Sequence, residues 1–165
     1  MKKTTVIVFS VISIILLTGI SLAATLVLQT KNSDFRNDPD FYRSLADELA
    51  KQGSIPEAIS AYEMCLELKE DYEVRNNLAV LYYRIMDYDN AMRNLRILVE
   101  FDPSNPSYHY DLAVNLVDKF RNTEDKHLED LYEALSEYEV SEELSPGFQN
   151  AKSNAAIISK VLSEV

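Results

Sequence analysis

Cysteine, glycine and histidine are scarce in this chain of 165 residues, and tryptophan is absent. Because Cys65 is the only cysteine, the chain can form no intramolecular disulfide, CxxC motif or cysteine-rich metal site. Only three glycines and five prolines are present, so the composition favours helices over a sheet with many turns. These shortages predict an all-α domain that does not depend on disulfides.

The residues that build common catalytic and metal sites are also too few. His109 and His127 are the two histidines, and neither lies in an HExxH motif or beside a second ligand at metal spacing. The three glycines form no GxSxG, Walker or GxGxxG motif. Carboxylates are abundant, but none lies on an obviously apolar face where desolvation would raise its pKa. We therefore predict no enzyme activity, no catalytic residue, no metal and no cofactor.

Negative charge dominates the chain after Lys31. All 27 acidic residues follow that position, whereas three of the 16 basic residues lie at or before it. An excess this large repels phosphate groups, so we expect no nucleic-acid partner. The charge either keeps the surface soluble or attracts a basic partner, and the sequence leaves both interpretations open.

A long uncharged segment occupies the N-terminus. Lys2 and Lys3 are soon followed by 23 residues without charge, Val6 to Leu28. As a helix this segment would be roughly 34 Å long, enough to span a hydrocarbon core of about 30 Å. We therefore predict a transmembrane signal anchor over residues 1–30 and a polar linker over residues 31–38.

Two fates of this segment are open. Ser21-Leu22-Ala23 is a small-x-small site, and cleavage there would give a secreted domain. The apolar run continues to Leu28, past that site, which favours an uncleaved anchor. Lysines before the segment and aspartates after it predict a single-pass protein of the cell membrane, with its N-terminus in the cytoplasm and the following domain extracytoplasmic.

A sequence pattern recurs three times after the linker. It begins at Leu45-Ala46, Leu78-Ala79 and Leu112-Ala113, with the alanines 33 and then 34 residues apart. A fixed period of this size is typical of a solenoid, in which helical hairpins stack because each is too small to bury its apolar face alone. The small residues predict that the two helices of each hairpin approach closely.

The repeated positions resemble the tetratricopeptide repeat, or TPR. The matching residues are Leu45, Ala46, Leu49, Ala58, Tyr62 and Cys65, then Leu78, Ala79, Tyr82, Ala91, Leu95, Leu98 and Pro103, then Leu112, Ala113, Leu116, Ala134, Tyr138, Ser141 and Pro146. The resemblance implies an α-solenoid of about three helical hairpins and a C-terminal capping helix over residues 39–165, preceded by the transmembrane helix. It also implies that Tyr62, Tyr82, Tyr138 and Cys65 lie in the core.

Turn and cap residues predict where the hairpin helices begin and end. Gly53 ends the first helix, and Ser54 with Glu57 predicts a capping box for the second. Asp87 and Asn105 are expected to cap later helices with their side chains.

The third unit is longer and more acidic than the others. Nine additional residues separate its two alanines, which predicts longer helices and a protruding tip over residues 121–127. Nine acidic residues lie between positions 124 and 143. This acidic stretch is either a solvated face or a docking strip for a basic partner.

By resemblance to the family, the candidate binding site is the groove lined by the first helix of each hairpin. The predicted groove residues are Arg43, Asp47, Asn76, Asn77, Val80, Tyr83, Arg84, Tyr110, Asp111 and Val114, with Ser44 and Asp118 beside them. Asparagine amides can hold an extended peptide, and tyrosines offer broad contact. Chaperone-binding relatives clamp a peptide carboxylate with cations and amides. Here Asp47 and Asp111 carry negative charge, so we predict no carboxylate clamp.

Two functions fit these features. The first is a membrane-anchored, extracytoplasmic TPR adaptor or scaffold that binds a protein or peptide, basic in one interpretation, during assembly, secretion or envelope organisation. The alternative is a structural spacer or self-associating module without a peptide ligand, for which a homo-oligomer is expected.

Overall fold

The computed structural model describes residues 37–165, and all regular secondary structure in that range is helical. The helices are α1 Pro39–Lys51, α2 Ile55–Leu68, α3 Tyr72–Arg84, α4 Tyr88–Phe101, α5 Pro106–Asn122, α6 Leu128–Leu144 and α7 Ala151–Ser163, with a 3-10 turn at Phe148–Asn150. Each helix packs most extensively against its neighbours in sequence. The result is a stack of three hairpins closed by α7, which confirms the all-α solenoid for this part of the chain.

The predicted transmembrane helix lies outside the described residues, as does most of the predicted linker. Between residues 37 and 165, no helix has the length and apolar character that crossing a bilayer requires.

Side-chain caps fix the start of most hairpin helices. Asp38 and Asp71 accept backbone N–H bonds at the starts of α1 and α3. Asp87 accepts from the Asn90 N–H, and Asn105 accepts from the Ser107 N–H, so both predicted caps are confirmed. These bonds satisfy donors that a helix start otherwise leaves without partners.

The prediction of a capping box at the start of α2 is wrong, because the hydrogen bond to the Ser54 side chain is absent. Ser54 precedes the helix, but its side chain makes no cap bond, although Asp87 caps α4 from nearly the same backbone angles. Pro56, in the first turn, has no N–H, so the N–H of Glu57 is the one that a capping box would use.

The turns of the first two hairpins use left-handed backbone. Gly53 ends the first hairpin turn at φ 79°, a conformation that glycine adopts without a Cβ clash. The second turn places Met86 at φ 62° in the corresponding role. A non-glycine residue there costs about 1–2 kcal/mol, so the second turn is less favourable than the first.

Small residues occupy the crowded positions inside the hairpins. Ala46 on α1 and Ala58 on α2 are fully buried in one core cluster, and Ala113 on α5 and Ala134 on α6 are fully buried in another. The predicted core residues Tyr62, Tyr82, Tyr138 and Cys65 are also buried. The prediction of close helix approach through alanine is therefore supported in the first and third hairpins.

The third hairpin has the longer helices that its insertion predicts. Helices α5 and α6 have 17 residues each, against 13 or 14 in the first two hairpins, and residues 123–127 form the tip. The acidic stretch is only partly a solvated face. Glu133 pairs with Arg96 of α4 at 2.9 Å, and Glu137 contacts His109 of α5 at 2.6 Å. Some of this charge therefore joins helices and is not available to a partner.

Candidate functional site

A groove follows the inner helices α1, α3, α5 and α7 as three adjoining hollows. The first hollow is lined by Asp47, Ala50, Lys51, Tyr62, Asn77, Val80 and Leu81. The central pocket is lined by Asn76, Ala79, Val80, Tyr83, Leu95, Asp111, Val114 and Asn115. The third hollow is lined by Val114, Val117, Asp118, Arg121, Tyr138, Asn154, Ile157 and Ile158. Val80 borders the first two and Val114 the last two, so one extended segment can contact all three.

Three polar side chains of the first hollow, Asp47, Tyr62 and Asn77, are joined by hydrogen bonds. The Tyr62 hydroxyl donates to Asp47 Oδ1 at 2.5 Å and accepts from Asn77 Nδ2 at 3.2 Å. Burial, together with the hydrogen bond to the nearby carboxylate, raises the pKa of Tyr62. The phenol therefore stays neutral and joins α1, α2 and α3 through one side chain.

Arg43 lies beside this junction in an ion-pair cluster. Its guanidinium contacts Asp71 at 3.1 Å and also pairs with Glu73. Asp71 additionally caps α3 through its other oxygen. The charge of Arg43 is thus balanced by two carboxylates of the next repeat.

Tyrosine hydroxyls also connect the later inner helices. Tyr83 of α3 donates to Asp118 of α5 at 2.6 Å, which raises the pKa of Tyr83 to about 12. The Tyr110 hydroxyl of α5 accepts from Asn154 of α7 at 3.3 Å. A phenol therefore fixes each pair of adjacent inner helices along the groove.

The central pocket differs because its side chains Asn76, Asp111 and Asn115 each carry a polar group without a partner in the described region. No residue from 37 to 165 forms an ion pair or a hydrogen bond with the Asp111 carboxylate. Burial therefore raises the pKa of Asp111 to about 6 without compensation. Asn115 is 5% exposed, and its Oδ1 atom has no hydrogen-bond partner within the described region. Unpaired buried polar atoms each cost roughly 1–3 kcal/mol.

The expectation that no carboxylate lies on an apolar face is therefore wrong for Asp111. The pocket wall around it is mostly apolar, with Ala79, Val80, Leu95 and Val114. The resemblance to the repeat family placed Asp111 in the groove, but the apolar wall also depends on α4, which contributes Leu95 from another part of the chain.

The structure brings most predicted groove residues together. Seven of them line the first hollow or the central pocket, and these are Asp47, Asn76, Asn77, Val80, Tyr83, Asp111 and Val114. Arg43 lies in its ion pairs, and Tyr110 packs edge-on against Tyr138 and Phe148. Arg84 is exposed and lines none of the three hollows. Binding by these residues stays a prediction.

Sequence reasoning missed part of the lining. Asn115 lies four residues after Asp111, and this helical spacing could have identified it. Asn154, Ile157 and Ile158 of α7 were missed because the capping helix carries no repeat motif. Among residues 37–165, no group of three or more histidine, cysteine or acidic side chains is arranged to hold a metal ion.

Comparisons with known proteins identify the architecture. No protein-family model matches the chain, and no curated protein is similar in sequence. Solved structures are similar in three dimensions. The first TPR of Spaghetti (RPAP3), bound to the HSP90 peptide SRMEEVD, aligns with a TM-score of 0.61 and 22% identity over 78% of this chain and 95% of that one.

Two further structures support the same conclusion. MamA AMB-1 aligns with a TM-score of 0.70 and 21% identity over 86% of this chain and 72% of that one. TTC0263, a thermophilic TPR protein in Thermus thermophilus, aligns with a TM-score of 0.58 and 22% identity over 76% of this chain and 66% of that one. The chain has a TPR fold. Identities this low establish the fold alone.

Proposed function

We propose that this chain is a membrane-anchored protein-interaction adaptor that binds a segment of another protein in the inner groove. The observation that supports this most is the continuity of the three hollows, with apolar side chains left open along them. Val80 is 49% exposed where the first hollow meets the central pocket, and Ile157 is 61% exposed in the third hollow. Apolar contacts beside a few polar groups are typical of binding clefts.

The charges of the groove favour a neutral or basic segment over an acidic one. Three carboxylates, Asp47, Asp111 and Asp118, line it against two cations, Lys51 and Arg121, and Arg121 pairs with Asp118 at 3.8 Å. The nearby cation Arg43 is already balanced by two carboxylates. The peptide bound by the RPAP3 domain, SRMEEVD, carries several carboxylates. A segment of that kind would meet like charges here, so we propose a different ligand class.

Membrane attachment and an extracytoplasmic position belong to this proposal on the strength of the N-terminal sequence. The uncharged run from Val6 to Leu28, with Lys2 and Lys3 before it, is the supporting feature. Protease added to intact cells or spheroplasts should digest the repeats, and mass spectrometry of the mature N-terminus should find residues 1–30 retained. Digestion only after permeabilisation would contradict the topology.

Site-specific photo-crosslinking tests the groove directly. A photoreactive residue in place of Val80, in the full chain expressed in its own cells, should give a discrete crosslinked partner. The matched control places the same residue at Glu67, which is exposed on α2 and lines none of the three hollows. Equal crosslinking at both positions, or none at Val80, would contradict groove binding.

The alternative is a self-associating spacer, and exposed apolar side chains on the last helix of the stack favour it. Helix α7 leaves Ile157 and Val161 exposed, at 61% and 40%. A second copy could cover them as a further repeat would. The alternative predicts that the mass of the detergent-solubilised chain increases with its concentration. The double variant Ile157→Glu with Val161→Glu should abolish this increase.

A further inference from the structure

Asp111 and Asn115 line the central pocket, and each carries an acceptor group for which residues 37–165 supply no donor. We infer that the central pocket receives a basic side chain, arginine or lysine, from the protein segment that occupies the groove. This inference rests on the proposed function, because it specifies the chemistry of the same partner. Three features of the pocket support it.

The first feature is the isolation of the Asp111 carboxylate. Between residues 37 and 165 no arginine or lysine forms an ion pair with it. Two cations of the inner helices pair elsewhere: Arg43 contacts Asp71, and Lys119 contacts Asp89. A partly buried carboxylate without a counterion gains most from a cation that arrives with a ligand.

The second feature is the orientation of the Asn115 amide. Its Nδ2 group donates to the backbone carbonyl of Asp111 at 2.8 Å. Since the donor is committed, the unpaired atom is the acceptor Oδ1. Reversing the amide would place an oxygen against that carbonyl, so the hydrogen bond also fixes the assignment.

Together, a carboxylate and an amide oxygen require a ligand group that donates and does not accept. Among side chains, only arginine and lysine combine several donors, no acceptor and a positive charge that is kept at neutral pH. A serine hydroxyl or a backbone amide could satisfy one of the two acceptors but would leave the charge of Asp111 uncompensated. An anionic side chain would be repelled.

The third feature is the apolar wall of the pocket. Val80, Leu95 and Val114 can cover the methylene stem of a basic side chain, and the ring of Tyr83 adds an aromatic surface. The cavity has a volume of about 110 Å³, several times that needed by one water molecule. Acidic residues outnumber basic ones by 27 to 13 after Lys31, which steers basic segments toward this surface.

Selection from a library of random seven-residue peptides, displayed to the full chain in detergent, tests this inference. We expect the selected peptides to share one position that is enriched in arginine or lysine. Asp111→Asn should abolish the enrichment at that position, because the variant keeps the shape and removes the charge. Glu67→Gln, on the exposed surface of α2, makes the same change in net charge and should leave the enrichment intact.

A selected peptide then provides a quantitative test. Replacing its enriched arginine by citrulline, or its enriched lysine by norleucine, removes the charge and should weaken binding about 10- to 100-fold, as expected for loss of a charge-assisted hydrogen bond. On Asp111→Asn the same replacement should have little effect. Thermal unfolding of each variant verifies that it is folded.

The possible failures are distinguishable. Selection of neutral or acidic peptides that no longer bind Val80→Asp would overturn the basic-side-chain inference and leave groove binding intact. Basic enrichment that survives in Asp111→Asn, or is lost equally in Glu67→Gln, would overturn it as well. If the natural chain enriches no peptide more strongly than the Val80→Asp variant does, groove binding is contradicted, and this inference with it.

Discussion

The first hollow and the central pocket occupy equivalent places between successive inner helices, but they differ in whether their polar groups have hydrogen-bond partners. In the first hollow, Tyr62 connects Asp47 to Asn77, and each of the three has a partner. In the central pocket, the carboxylate of Asp111 and the oxygen of Asn115 have none among the described residues. The helix geometry repeats, whereas the pairing of side chains does not.

This difference separates contacts that stabilise the fold from groups that are available for binding. A bonded tyrosine between two helices increases rigidity, and its loss should cost stability. An unpaired, desolvated carboxylate lowers stability, and its removal should increase it. Groups that weaken the folded state without local compensation are characteristic of functional sites.

The largest effect is expected from a substitution that removes core packing. Leu116 of α5 is fully buried, and Leu116→Ala should lower the free energy of unfolding by roughly 2–5 kcal/mol, measured by urea denaturation. The control Leu68→Ala, at a side chain 37% exposed, should change it by less than about 1 kcal/mol. Equal effects would show that the core is not where the structure places it.

The next effect has the opposite sign and concerns Asp111. Asp111→Asn should raise the free energy of unfolding at pH 7 by roughly 1–3 kcal/mol, because the folded protein no longer holds a desolvated charge. A loss of stability in this variant would mean that the carboxylate has a favourable partner.

The pH dependence of stability follows from the same group. The pKa of Asp111 is about 6 in the folded protein and 3.8 for an ordinary aspartate. The folded state therefore binds the proton more tightly, and the contribution of Asp111 is fully present below pH 3.8 and is lost as the pH rises through 6. Urea midpoints between about pH 4 and pH 7 should decline more steeply for the natural chain than for Asp111→Asn. Parallel profiles would contradict this.

A smaller effect is expected at the first hollow. Tyr62→Phe removes the hydroxyl that both Asp47 and Asn77 use, and should lower the free energy of unfolding by about 1–2 kcal/mol. The matched change Tyr132→Phe, at an exposed tyrosine of α6, should be nearly neutral. If Tyr62→Phe stabilised the protein, the contrast between the two regions would be lost.

The smallest effect concerns the ion pairs of Arg43. Arg43→Gln should cost no more than about 1 kcal/mol, because the pairs with Asp71 and Glu73 are partly exposed and salt screens them. The difference from the natural chain should shrink further in about 1 M salt. A cost that exceeds that of Tyr62→Phe would identify Arg43 as the stronger link between the first two repeats.

The sequence predicted the fold well because the fold depends on a repeated pattern. Alanines at Ala46, Ala58, Ala113 and Ala134 allow close approach whatever the neighbouring side chains are, so their spacing alone indicates the hairpins. The hydrogen bond predicted for Ser54 is absent, although Asp87 makes the corresponding bond from nearly the same backbone angles, so the residue pattern alone does not decide it.

The candidate site could be predicted only in outline. The resemblance to the repeat family identified the inner face, including Asn76, Val80 and Asp111. It could not show that Arg43 is balanced by carboxylates of the next repeat or that Leu95 of α4 helps to desolvate Asp111. Those features depend on how neighbouring helices are arranged, and a one-dimensional pattern does not contain that information.

The most direct test of this account is an NMR titration of the Asp111 carboxyl, followed through its side-chain carbon in the full chain. The account predicts a midpoint near pH 6, well above that of an ordinary aspartate, because the group is desolvated and lacks a counterion. A midpoint at or below about pH 4 would show that Asp111 is solvated or already paired, and would contradict the claim that the central pocket is left open for a cationic group.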